Sequence, residues 1–502
     1  MASSYVRLAF GIVTTLILTP LIVSKLGSEA LGLWALTNAI AGYFSLTDLG
    51  ITAAAIKYIS HYRATQQWEE LNKTIGTSFS CFVCLAMLVL IASLILSQSG
   101  SNFFHIDTSL FATLHALILI LGIVAAIGFL TVIPIQCAIA SQRQDLLNTW
   151  MLVVQVVSSV ASLACIYSGC GIVSLGLVQI FSAVCNGIIG FAITRRFLPQ
   201  AHIELRWHAS HGGLIASFAA FALLMSLASR IIYFSDSVVI GHYLTIIAVA
   251  GYSVALKFVE FMRSIVGCGA GVLGTFVSEQ AALGNRQSLA GMWIEGGKWA
   301  LAMTLPICLL CILNGSNLIS SWVGTDYPQA GIALAVLAVG ITADLSQSAG
   351  YQILVNGGKN KELAILFCLE AVTNLTLSLV LVKPFGIVGV AIGTVIPQLL
   401  RVVIFAGILM PKVTAVGLPD YFRKSALPAC IAALPSMVIV AIYNWQVLHS
   451  TRTSLAVLGL LMTVASIFGM YRCCVTNEQR QLIWRKLQGR PALSGIWPKV
   501  SP

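Results

Sequence analysis

Apolar positions along this chain do not alternate with polar ones at the spacing of a soluble helix or strand; they run on for twenty residues and more and stop at short polar turns. About 20 consecutive apolar residues let an α-helix cross the hydrocarbon of a bilayer. Such runs fall at residues 5–24, 31–56, 75–97, 110–139, 147–167, 172–194, 213–234, 238–272, 299–319, 330–355, 363–382, 386–410, 425–443 and 454–471. The fourth and eighth exceed a minimal crossing, which calls for tilt or for extension beyond the membrane. The fold class predicted is therefore an all-α polytopic membrane protein with 14 transmembrane helices. The first run follows Arg7 with no small-residue cleavage site behind it, so it reads as a retained span rather than a removed signal peptide.

Composition agrees. Of 502 residues, 58% are hydrophobic and only 9% charged, and mean hydropathy is +0.92, whereas soluble folds carry about 25% charged residues. The net charge of +11 would suggest nucleic acid in a soluble protein. Here its distribution explains it, because Lys and Arg mark the cytoplasmic connections of membrane proteins. With the N-terminus inside, only Lys25, Lys383 and Arg452 fall outside, and Arg230, Lys257, Arg263 and Arg401 fall within spans, leaving 21 of the 28 basic residues on the cytoplasmic side. The expectation is a multi-pass membrane protein with both termini cytoplasmic and no nucleic-acid partner. Trp34, Trp150, Trp293, Trp299, Trp322 and Trp445 fall near span ends, as interfacial aromatics do. The 13 cysteines lie mostly inside apolar runs and read as small buried thiols, not bridges. No connection is long enough for a soluble domain, and no phosphate loop or metal-spaced Cys/His set is present, so neither enzyme activity nor a cofactor is expected.

The chain also resembles itself at an offset of about 215 residues: Gly171-Ile172-Val173 matches Gly386-Ile387-Val388, and Ala30-Leu31-Gly32-Leu33 matches Val249-Ala250-Gly251-Tyr252. Six spans separate the copies, so both halves have one orientation. This predicts two six-helix bundles in parallel pseudo-repeat around a central cavity, residues 1–205 and 206–412, with two extra C-terminal helices and a basic tail over 413–502.

The segment from Leu21 to Trp34 (LIVSKLGSEALGLW), with Thr47-Asp48-Leu49-Gly50 and Lys57-Tyr58 after it, resembles the polysaccharide flippases of the multidrug/oligosaccharidyl-lipid/polysaccharide exporter superfamily. The resemblance implies a flippase that carries a polyprenyl-pyrophosphate-linked oligosaccharide from the cytoplasmic to the outer leaflet for cell-surface polysaccharide assembly, such as O-antigen. Its partners would be that lipid, the bilayer, an H+ or Na+ counter-ion and polysaccharide-assembly proteins. Two alternatives stay open: a multidrug and toxin extrusion cation antiporter of the same architecture, and a membrane polysaccharide polymerase. Excess cavity cations argue against the first, and the lack of a large external loop against the second.

Charges kept inside spans locate the candidate chemistry, since each costs about 2.5 to 3.5 kcal/mol to insert. Arg230, Lys257, Arg263 and Arg401 are expected to line the cavity and hold pyrophosphate, arginine acting as a forked donor. Lys257 and Glu260, three apart on a helix, equally suit a locking pair. Asp48, Asp236, Glu260, Asp344 and Glu370 are the candidates for ion coupling or pairing, and Asp48 serves as well to bond a local bend.

Overall fold

The structure is a computed structural model that describes residues 2–44, 51–104, 108–283, 285–324, 327, 329–446 and 452–475. Among these there is no strand. The helices are α1 (Ala2–Leu26), α2 (Ser28–Phe44), α3 (Ile51–Ala64), α4 (Trp68–Phe103), α5 (Phe111–Ala140), α6 (Gln144–Tyr167), α7 (Val173–Phe197), α8 (Ala209–Tyr243), α9 (Ile246–Ala282), α10 (Arg286–Val323), α11 (Ala330–Leu345), α12 (Ser348–Asn356), α13 (Asn360–Ile404), α14 (Met410–Thr414), α15 (Leu418–Tyr421), α16 (Leu427–Gln446) and α17 (Arg452–Cys473). Only helices suit this composition, because a helix satisfies its own backbone where no water can.

Among the described residues ten helices are long and apolar enough to cross a membrane, or eleven when the α11–α12 pair, bent by 43°, is taken as one span. The sequence runs beyond these have physical reasons for standing apart. The helix from Lys361 to Thr414 is 54 residues long and is broken at Gly386, whose φ of 61° and ψ of −141° form a conformation open essentially to glycine alone. α2 has 17 residues, and α9 carries Lys257, Glu260 and Arg263 through its middle. One boundary differs from expectation: the runs at 213–234 and 238–272 leave Asp236 between them, whereas α8 continues to Tyr243 and holds Asp236 inside it.

The chain forms two compact units. The first comprises residues 1–254, 323–327 and 367–390. Lipid offers no hydrophobic force between helices, so close backbone approach and hydrogen bonds must hold them. α7 accordingly turns Gly187 and Gly190 to Thr131 and Ile135 of α5, where an added methyl would collide. The Thr194 hydroxyl then donates to the Pro134 carbonyl at 2.7 Å. The extended connection between α7 and α8 is hydrogen-bonded along α4: the His202 N–H donates to Asn72 Oδ1 at 2.8 Å and the His208 N–H to Thr77 Oγ1 at 3.1 Å.

The second unit comprises residues 255–322, 328–366 and 391–502. α16 and α17 pack on α10 at two levels, Leu301 and Ala302 meeting Ala429 and Ala432, and Leu310 and Leu318 meeting Val440, Leu455 and Leu458. Trp293 departs from the interfacial expectation. It is fully buried, donates its indole N–H to Gln347 Oε1 at 3.0 Å and stacks on Tyr421 at 4.3 Å. Every described cysteine is free, though Cys84, Cys170, Cys430 and Cys473 are exposed rather than buried.

Candidate functional site

Among the described residues, polar side chains stand inside otherwise apolar helices in both units.

In the second unit they begin on α9. Val259, Met262 and Val266 form its buried stripe, while Lys257, Glu260 and Ser264 recur at three- and four-residue steps on another face. Lys257 Nζ lies 3.0 Å from Glu260 Oε2, and the two side chains are 36% and 56% exposed. Two charges with that exposure, midway along a helix of an apolar chain, do not belong in hydrocarbon. Arg263 is half-buried and lies near enough to Asp344 to act on its charge.

Asp344 ends a turn before the α11–α12 bend and meets Arg401 of α13, Arg401 Nη2 lying 2.6 Å from Asp344 Oδ1, both side chains nearly inaccessible. The Tyr351 hydroxyl donates to the same oxygen at 3.0 Å and accepts from Arg401 Nη1. Arg401 also lies over the Tyr351 ring, 5.1 Å from its centre. Arg401, expected among the cavity-lining cations, is thus bound to an acid, an arrangement that locks α13 to the bend.

In the first unit Asp236, 2% exposed, accepts from the Tyr252 hydroxyl at 2.5 Å and from Ser378 at 3.5 Å. Next to it the Ser235 hydroxyl donates to Asn374 Oδ1 at 3.4 Å, and the Tyr43 hydroxyl faces Ser235 and the Asp236 charge. Glu370, 3% exposed, stands one turn before Asn374, so that Glu370, Asn374 and Ser378 share one face of α13. Arg230 lies over the Phe234 ring at 5.5 Å. Asp48 lies outside the described residues.

Of the residues singled out in the sequence, the fold thus joins Asp344, Arg401 and Arg263 in one place, Lys257 and Glu260 in a second, and Asp236 beside the Glu370 face in a third. Sequence reasoning missed the tyrosines 43, 252 and 351 that finish these clusters, because an aromatic inside an apolar run carries no signal of the bond its hydroxyl makes. The polar face of Glu370, Asn374 and Ser378 did carry one: a four-residue spacing inside a span.

The family model described as polysaccharide biosynthesis protein matches residues 4–273. The chain belongs to this family. A relative from Shigella flexneri, whose name is that of an O-antigen transporter, is 23% identical over 387 residues, 73% of this chain and 87% of its own. A membrane protein of Bacillus subtilis, EpsK, is 21% identical over 490 residues, 94% of each chain. Among solved structures, an inward closed conformation of the lipid II flippase MurJ aligns with a TM-score of 0.70 at 14% identity, over 97% of this chain and 99% of that one. That likeness shows the fold. The family member is accordingly a multi-pass membrane protein of polysaccharide biosynthesis.

Proposed function

We propose that the protein flips a polyprenyl-pyrophosphate-linked oligosaccharide from the cytoplasmic to the outer leaflet of a bacterial inner membrane, by alternating access of two six-helix halves, residues 1–205 and 206–412. In this reading the chain crosses fourteen times, both ends are cytoplasmic, and residues 413–502 add the last two helices and a tail. The observation that carries it is the exposed Lys257–Glu260 pair on α9, because charges so placed require water inside the membrane. The saccharide and pyrophosphate would occupy that water while the polyprenyl tail stays in lipid, Arg263 meeting the phosphate oxygens as a forked donor. The membrane potential favours an anion leaving a negative interior by about 2.3 kcal/mol per charge per 100 mV.

Coupling to a counter-moving H+ or Na+ is assigned to Asp236 with Glu370. Both carboxyls are buried inside spans, Asp236 among the Tyr252 and Ser378 hydroxyls and Glu370 on the face of Asn374 and Ser378, and polar oxygens so placed suit a proton or small cation in transit. Partner proteins of polysaccharide assembly would receive the lipid on the outer side. The test is the K257A R263A double variant in the native host. Surface polysaccharide is expected to fall at least about ten-fold, the effect of losing one charged contact of about 1.4 kcal/mol, with the protein's abundance intact; normal display by that variant would refute the cationic site.

A further inference from the structure

Beside the charged pair on α9 stands a group of rings. Phe261 follows Lys257 by four residues and lies about 40° from it around the helix, with Phe258 further round. Trp322 of α10 meets both, its ring centre 5.3 Å from Phe258 at 83° and 6.2 Å from Phe261 at 59°. Phe258 and Phe261 are themselves 6.3 Å apart at 73°. All three are half-buried, unlike Trp293 on the same helix as Trp322, which is sealed in.

Resting on the flippase reading, we infer that Phe258, Phe261 and Trp322 form the shelf that receives a sugar ring of the headgroup, with Lys257 and Glu260 bonding its hydroxyls. A pyranose has one face of C–H groups and a rim of hydroxyls; an aromatic face covers the first, and a donor and an acceptor at its edge take the second. Lys257 offers only donors and Glu260 only acceptors, so together they match hydroxyls, which do both. A pyrophosphate does not suit this spot, because the Glu260 carboxylate and the negative ring faces repel it. A lipophilic cation is opposed by Lys257. The anion belongs instead to Arg263, toward the other side of the charged face.

The test uses the full-length protein in nanodiscs and three probes: lipid-linked saccharides extracted from the host membrane, bare polyprenyl pyrophosphate, and tetraphenylphosphonium. Wild type is expected to bind the saccharide-bearing lipid more tightly than the bare one. The F261L W322L variant should cut this preference about five-fold, the effect of lost aromatic contacts, F261L alone by about half that factor, and W322F should keep most of it. Binding of the bare lipid shows that each variant is folded. Undiminished preference in both leucine variants overturns the shelf alone, whereas a wild type that binds neither lipid, or prefers tetraphenylphosphonium, overturns the flippase reading with it.

Discussion

Arg401 and Asp344 are 57 residues apart in the chain and 2.6 Å apart in space, buried together where α13 crosses the bend between α11 and α12. A buried ion pair adds little net stability over an apolar pair of the same volume, yet removing one partner strands the other charge, at a cost of about 3 to 5 kcal/mol. Single R401A or D344A variants should therefore accumulate poorly and melt early in detergent, while R401L D344L should recover most of the loss. Failure of the double variant to exceed either single one in a thermal-shift assay would show that the pair is not a lock.

Gly386 permits a second prediction. Its φ of 61° and ψ of −141° cost any other residue about 1 to 3 kcal/mol. G386A should lower the midpoint of unfolding, whereas G389A probes crowding instead, since an added methyl there meets the Leu381 carbonyl. Equal stability of G386A and wild type would argue against the break.

The Asp236 cluster predicts a loss of coupling. In proteoliposomes D236N should transport without dependence on an imposed pH or sodium gradient, and E370Q should weaken that dependence. Y252F removes the hydroxyl at 2.5 Å and should cost about 1 to 3 kcal/mol of stability, the price of a buried acceptor left short of a donor. A D236N protein whose rate still follows either gradient would place the coupling elsewhere.

Crossing number can be read with thiols. Cys170 is exposed between two glycines of positive φ, Gly169 and Gly171, in a connection assigned to the outside, and Cys473 is exposed at the end assigned to the inside. In single-cysteine variants a membrane-impermeant maleimide should label Cys170 in intact cells and Cys473 only after permeabilisation. Labelling of both from one side would exclude the fourteen-crossing layout.

The helical character of this chain was legible because hydropathy is a property of each residue alone, and so was the place of Asp344, Glu370 and Arg401 inside apolar runs. What those charges meet was not. Arg401 and Asp344 both stood out in the sequence, but nothing at a 57-residue separation says that they pair rather than face water. Lys257 and Glu260 were legible as a pair because helix geometry fixes a three-residue spacing. Trp293 misled because a tryptophan near the end of an apolar run reads alike whether it faces headgroups or a glutamine. Asp236 was misplaced by a few residues, since helix α8 carries polar Ser235, Asp236 and Ser237 in its interior, where the apolar count drops.

The fasteners of the α11–α12 bend are not made together. Trp293 leaves the ribosome before the bend, but the Tyr421 hydroxyl that caps the Ser346 carbonyl at 2.9 Å comes 75 residues after it. Until translation has passed Arg401 and then Tyr421, Asp344 has the Tyr351 hydroxyl but lacks its arginine, and the Ser346 carbonyl lacks its tyrosine cap. Chains ending short of that point should be the ones that membrane proteases recognise, so the order of synthesis itself becomes a checkpoint on completed molecules.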